Sequence, residues 1–135
     1  MPTPATSAIA PRTSTRTYPA TRQHVRVVRA ELSALLIDCP RADDIVLCAS
    51  ELATNAIIHS RSAQPGGTIT LHAAIRPGDH VRIDIRDDGG PWTEPARDTD
   101  RPHGLDIVRV LASQWGIRET NTGRAVWAQL DWPAA

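Results

Sequence analysis

Two runs of alternating apolar residues, joined by a short turn, constrain this fold more than any other feature of the chain. In TITLHAAIR, Ile69, Leu71, Ala73 and Ile75 occupy every second position, and in VRIDIRD the same holds for Val81, Ile83 and Ile85. Side chains alternate across a strand, so this period buries one face and wets the other. Pro77-Gly78-Asp79 between the runs has the chemistry of a hairpin turn, which makes the two strands antiparallel neighbours. A sheet with one apolar face must be covered, and the covering elements are helices elsewhere in the chain.

Those helices are legible from a period near 3.6. Val25, Val28, Leu32, Leu35 and Leu36 form an apolar stripe that predicts a helix from about Thr21 to Ile37, with Arg22, Arg26 and Arg29 on its solvated side. Asp38-Cys39-Pro40 ends it, and a second helix is expected from about Ala42 to His59, with Asp43 and Asp44 favourable in its first turn. After a charged Gly/Pro-rich loop from Asp88 to Pro102, the pattern Leu105, Ile107, Val108, Leu111, Ala112 predicts a third helix. WGIRET, a turn at Asn121 to Gly123, and RAVWAQLDW read as a closing hairpin. Before the first helix, RTYPAT suits a short edge strand from Arg16 to Thr21, because Pro19 cannot donate within a ladder. Residues 1–15, rich in Pro, Thr, Ser and Ala, are expected to be a disordered arm, and residues 16–133 one domain. The fold class expected is α+β, helices on one face of a largely antiparallel sheet.

Composition narrows the chemistry. All fifteen basic side chains are arginines, matched by fifteen acidic residues, so no net charge points to nucleic acid or a membrane surface. The absence of lysine excludes a P-loop lysine and a Schiff-base enzyme. Cys39 and Cys48 form neither a CxxC pair nor a zinc pattern with histidine, and read as buried thiols. Trp115, Trp127 and Trp132 are expected in core and edge packing. Without a signal-peptide pattern or an apolar run of spanning length, the expectation is a soluble cytoplasmic protein.

Three clusters carry the chemistry. In ELATNAIIH, Glu51 and Asn55 stand at i and i+4 and so share one helical face. Asp87-Asp88-Gly89-Gly90 follows a strand, where a carboxylate accepts hydrogen bonds from an amine and glycine lets a ligand approach the backbone. His103-Gly104-Leu105 opens the third helix, whose first N–H groups and dipole favour phosphate. A carboxamide oxygen such as that of Asn55 suits a hard cation that completes its shell with phosphate oxygens and water. The set describes a nucleotide site without a P-loop.

From about Tyr18 to Trp132 these motifs resemble the GHKL ATP-binding domains, and the short chain with ELATNAIIH looks most like their anti-sigma-factor serine/threonine kinases. The resemblance implies a two-layer α/β sandwich of the Bergerat type with a mostly antiparallel mixed sheet. It implies Asn55 as the Mg²⁺ ligand, Glu51 as the general base, and Asp87 with Gly89 as the adenine box. Gly104, Leu105, Ile107 and Val108 match the second glycine box. Arg101, like Arg97, is placed by its loop position to neutralise phosphate charge. The implied cofactors are ATP and Mg²⁺. The implied partners are a sigma factor and a STAS-type anti-anti-sigma protein, together with a second copy in a homodimer. Pro91, Pro102 and Ala125 depart from the family pattern, and they motivate an alternative: a non-catalytic interaction module of the same fold with weak or lost ATP binding.

Overall fold

A computed structural model describes residues 10–59, 66–88, 104–119 and 123–133 of the chain. The elements run β1 (Arg12–Pro19), α1 (Arg22–Leu35), α2 (Ala42–His59), β2 (Thr68–Arg76), β3 (His80–Arg86), α3 (Gly104–Leu111), β4 (Gln114–Glu119) and β5 (Arg124–Asp131). The five strands form one sheet in the order β1-β2-β3-β5-β4. Every described pairing is antiparallel, in keeping with the largely antiparallel sheet expected.

Register explains why the helices lie on one side. Leu71, Ala73 and Ile75 stand opposite Ile85, Ile83 and Val81, which in turn stand opposite Val126, Ala128 and Leu130. All nine are buried and share one face. On it lies α2, flanked by α1 and α3, and the buried side chains of α2 from Ile45 to Ile57 fill the space above β2, β3 and β5. From α1, Val28 and Leu32 are fully buried, while Arg22, Arg26 and Arg29 are exposed as the periodicity requires. Among the described residues no helix is long and apolar enough to cross a membrane.

The wet face is built from cross-strand polar pairs. Thr17 and Thr70 hydroxyls meet at 2.9 Å and Thr15 Oγ1 lies 2.6 Å from His72 Nδ1. Trp127 also lies on this face, with the Arg82 guanidinium 4.1 Å from its ring centroid. It is therefore a half-buried outer residue, against the expectation of core or edge packing, whereas Trp115 and Trp132 do pack on the core.

Several boundaries differ from the sequence reading. The first strand begins at Arg12, so residues 12–15, expected in the arm, belong to the sheet; residues 1–9 lie outside the described residues. Of β1 only Tyr18 is buried, which leaves no alternating apolar signal; pairing with β2 alone holds the segment extended. The first helix stops at Leu35, two residues short, where Leu36 leaves helical geometry and its N–H reaches back to the Leu32 carbonyl at 3.0 Å. The Arg12 guanidinium donates to the Leu35 carbonyl at 3.1 Å and pairs with Asp38, satisfying that helix end. His80 joins the third strand because the turn is only Pro77-Gly78-Asp79, with Gly78 at φ +80°, where a side chain would be strained. Gly104, expected at the opening of the third helix, is its first residue.

Candidate functional site

The second helix is where the polar pair acquires its setting. Leu52, Ala53, Ala56 and Ile57 are buried, so the helix is held tightly on three sides, and Glu51 and Asn55 occupy the half-buried remainder of its surface. Among the described residues neither side chain makes a hydrogen bond or ion pair. A carboxylate and a carboxamide one turn apart thus keep their oxygens available. Cys48, one turn earlier, is fully buried and its thiol is pushed up to about 11, first by burial and then by the charges of Asp44 and Glu51. It stays protonated near neutrality and is no nucleophile. Cys39 is also buried and raised by burial, and both cysteines are free thiols, as expected.

Asp87 sits just past the end of β3, and its side chain is 1% exposed. Sealing a carboxylate from water is costly unless it is paired. Here the first residue of β5 supplies the partner: Arg124 N–H donates to Asp87 Oδ1 at 3.3 Å, and Arg124 Nε lies 3.9 Å from Oδ2. The Asp87 N–H returns a bond to the Arg124 carbonyl at 2.9 Å. Next in the chain, Asp88 Oδ2 accepts the Thr68 N–H at 2.9 Å, fastening the end of β3 to the start of β2. Sequence reasoning missed Arg124, because the two residues are 37 positions apart and only the β3–β5 register brings them together.

Gly104 begins α3, which carries Asp106 in its first turn, and Leu105 is half-buried against the core. At the other end of this helix Arg41 donates to the Leu111 carbonyl at 3.0 Å while pairing with Asp44 at 3.2 Å, so the α1–α2 loop fixes where α3 ends. The elements bearing the three clusters pack together, since α2 touches both β3 and α3. Gly89 and Arg101, together with Arg97, His103, Pro91 and Pro102, lie outside the described residues.

Among the described residues no three His, Cys, Asp or Glu side chains converge, so these residues provide no metal cage. An unengaged carboxamide oxygen beside a carboxylate is the small set that suffices for a cation brought in with phosphates. The residues fit that role.

The helix-covered antiparallel sheet has relatives of known structure. Among solved structures, the RsbU and RsbW domains of Rv1364c from Mycobacterium tuberculosis match with a TM-score of 0.65 at 24% identity, over 91% of this chain and 34% of that one. In sequence, blue-light-activated histidine kinase 2 of Erythrobacter litoralis is 30% identical over 114 residues, which is 78% of this chain. The chain spans only 32% of that kinase's length. The histidine kinase-like ATPase domain matches residues 18–130, which takes in α2, the end of β3 and α3, and the chain belongs to that family.

Proposed function

We propose that the protein is a cytoplasmic ATP-binding regulator of the anti-sigma-factor type, a serine/threonine kinase that transfers the γ-phosphoryl group of ATP to a hydroxyl of an anti-anti-sigma partner. The observation that carries the reading is the Glu51–Asn55 pair: two unengaged oxygen-bearing side chains on the half-buried face of a helix whose opposite face is buried in the core. Membership of the histidine kinase-like ATPase family supports the nucleotide, and the resemblance of ELATNAIIH supports the kinase class, the sigma factor and the pairing of two copies.

In this reading Asp87 would accept the adenine amino group, and Asn55 is the residue whose amide oxygen would hold a Mg²⁺ ion brought in with the nucleotide. Mg²⁺ supplies charge neutralisation at the phosphate oxygens. Glu51 takes the proton of the attacking hydroxyl as the new oxygen–phosphorus bond forms, while the bond to the bridging oxygen breaks and ADP departs. The backbone N–H groups at the start of α3, with Arg101 nearby in sequence, face the phosphate charge. Little covalent work falls to the protein, so placement supplies most of the rate.

Glu51→Ala separates base from binding. Phosphoryl transfer to the partner should fall at least a hundredfold, the usual worth of a general base, with ATP affinity retained. Radiolabel transfer from ATP, measured beside calorimetric binding, reads both. An unchanged transfer rate would remove Glu51 from the chemistry. The second reading, an interaction module that does not use ATP, rests on Pro91, Pro102 and Ala125, and predicts no transfer by either protein.

A further inference from the structure

We infer that Arg41 is a positioning residue for the nucleotide: by tying the last carbonyl of α3 to the first turn of α2, it sets where the start of α3 stands relative to Glu51 and Asn55. The inference rests on the proposed nucleotide site, in which the N–H groups at the start of α3 face the phosphates, and extends it to a residue outside every motif.

Arg41 stands immediately before α2, and one guanidinium nitrogen serves two helices. Its Nη2 donates to Asp44 Oδ2 at 3.2 Å, in the first turn of α2, and to the Leu111 carbonyl at 3.0 Å, at the end of α3. Nε adds a longer bond to the same carboxylate oxygen at 3.4 Å, so Asp44 steadies the head group that reaches α3. The last carbonyls of a helix have no partner within it, and a cation is favourable at that end of the dipole. Packing alone fixes α3 less completely. Of its eight residues Val108 is fully buried, and Leu105 and Leu111 are partly buried against the core. This apolar row resists lifting of the helix, but a non-directional contact does little against sliding along the helix axis. The directed bond from Arg41 sets that axial position. Asp44, Cys48, Glu51 and Asn55 follow at intervals of four, three and four, so they share one face of α2. Arg41 therefore fastens α3 at the beginning of the stripe that carries the proposed base and metal ligand. A helix of two turns, about 12 Å long, carries a displacement at Leu111 to Gly104. A shift of about 1 Å there is enough to misplace groups around a bound phosphate.

The test measures Mg–ATP affinity by calorimetry and amide hydrogen exchange along the full chain, in the native protein, Arg41→Met, Arg41→Lys and Gly116→Ala, with thermal melts of each. Arg41→Met should weaken ATP at least fivefold and speed exchange in α3 at least tenfold, with β2 and β3 exchanging as before. Arg41→Lys keeps a charged donor and should recover at least half of the loss on a logarithmic scale. Gly116→Ala, strained against Trp127 on the wet face, should bind ATP as the native protein does. A merely structural Arg41 would lower the melting temperature and leave the affinity of the folded protein unchanged. Unchanged ATP affinity in Arg41→Met, a loss without faster exchange in α3, no recovery with lysine, or an equal loss in Gly116→Ala would each overturn the inference while leaving the nucleotide site standing. If Arg41→Met does not fold, Asp44→Asn decides, since Asp44 is 43% exposed and steadies the same guanidinium. It should weaken ATP at least twofold and speed exchange in α3, and the absence of either change overturns the inference. Failure of the native protein to bind ATP would remove both the site and the inference.

Discussion

Replacing Asp87 with asparagine isolates the charge at the end of β3 without changing its shape. The side chain is 1% exposed and faces Arg124 Nε at 3.9 Å, a separation at which two unit charges attract by about 4 kcal/mol at an effective dielectric of about 20. Asparagine keeps an oxygen for the Arg124 N–H now 3.3 Å away, so the contact survives as a neutral hydrogen bond while its charge is lost. Part of the attraction only offsets the cost of burying both ions. The expected net loss is about 2–3 kcal/mol, a large share of the roughly 5–15 kcal/mol typical of a domain. Urea unfolding followed by tryptophan fluorescence should show a lower midpoint at unchanged slope, and the melting temperature should fall by on the order of 10 °C. Repeating Asp87→Asn in an Arg124→Met background closes a double-mutant cycle, and there the loss should shrink below about 1 kcal/mol. A native-like midpoint for Asp87→Asn, or the same loss in both backgrounds, would refute the pairing as the reason this carboxylate can be buried.

Two further predictions concern the frame. Because the Cys48 thiol is raised from 9 to about 11 in the folded protein, the folded state holds its proton more tightly than the unfolded chain; the contribution is complete well below pH 9 and declines by at most about 2 kcal/mol as pH rises to 11, less where solvent screens the thiolate. Denaturation between pH 8 and 11 should show that slope in the native protein and lose it in Cys48→Ala, and a slope equally steep in the variant would contradict the assignment. At Gly116, an added Cβ would stand 2.8 Å from Trp127 Nε1, so Gly116→Ala must displace the indole and its stacked Arg82. The cost should be about 1 kcal/mol with a shift in tryptophan emission, and an unaltered spectrum would show that the ring does not cover that glycine.

What the sequence disclosed followed the strength of its periodic signals. Helix α2 and strand β2 have the limits read from Ala42–His59 and Thr68–Arg76, because apolar side chains mark them from end to end. β1 was half hidden: Thr13, Thr15 and Thr17 carry no hydrophobic alternation, and the segment is a strand because β2 offers it a ladder from Ile75 to Thr68. Trp127 deceived by its type. Its position in β5 pairs it with Asp84 and Gly116 on the wet face, and a large aromatic finds cover there from Arg82 rather than from the core. The candidate site divided the same way. Glu51 and Asn55 were local to one helix and hence legible, whereas the Arg124 contact depends on which strand lies beside β3. That order, with β5 inserted between β3 and β4, is a property of the sheet that neither hairpin reveals alone.

In the proposed function Asn55, Glu51 and Asp87 belong to one adenine-nucleotide site. Calorimetric titration of the full chain with ATP, with and without Mg²⁺, decides this. Saturable binding of one nucleotide per chain is expected, weakening at least tenfold when Mg²⁺ is removed and in Asn55→Ala. No binding at millimolar Mg–ATP, or binding indifferent to both Mg²⁺ and Asn55, would contradict it.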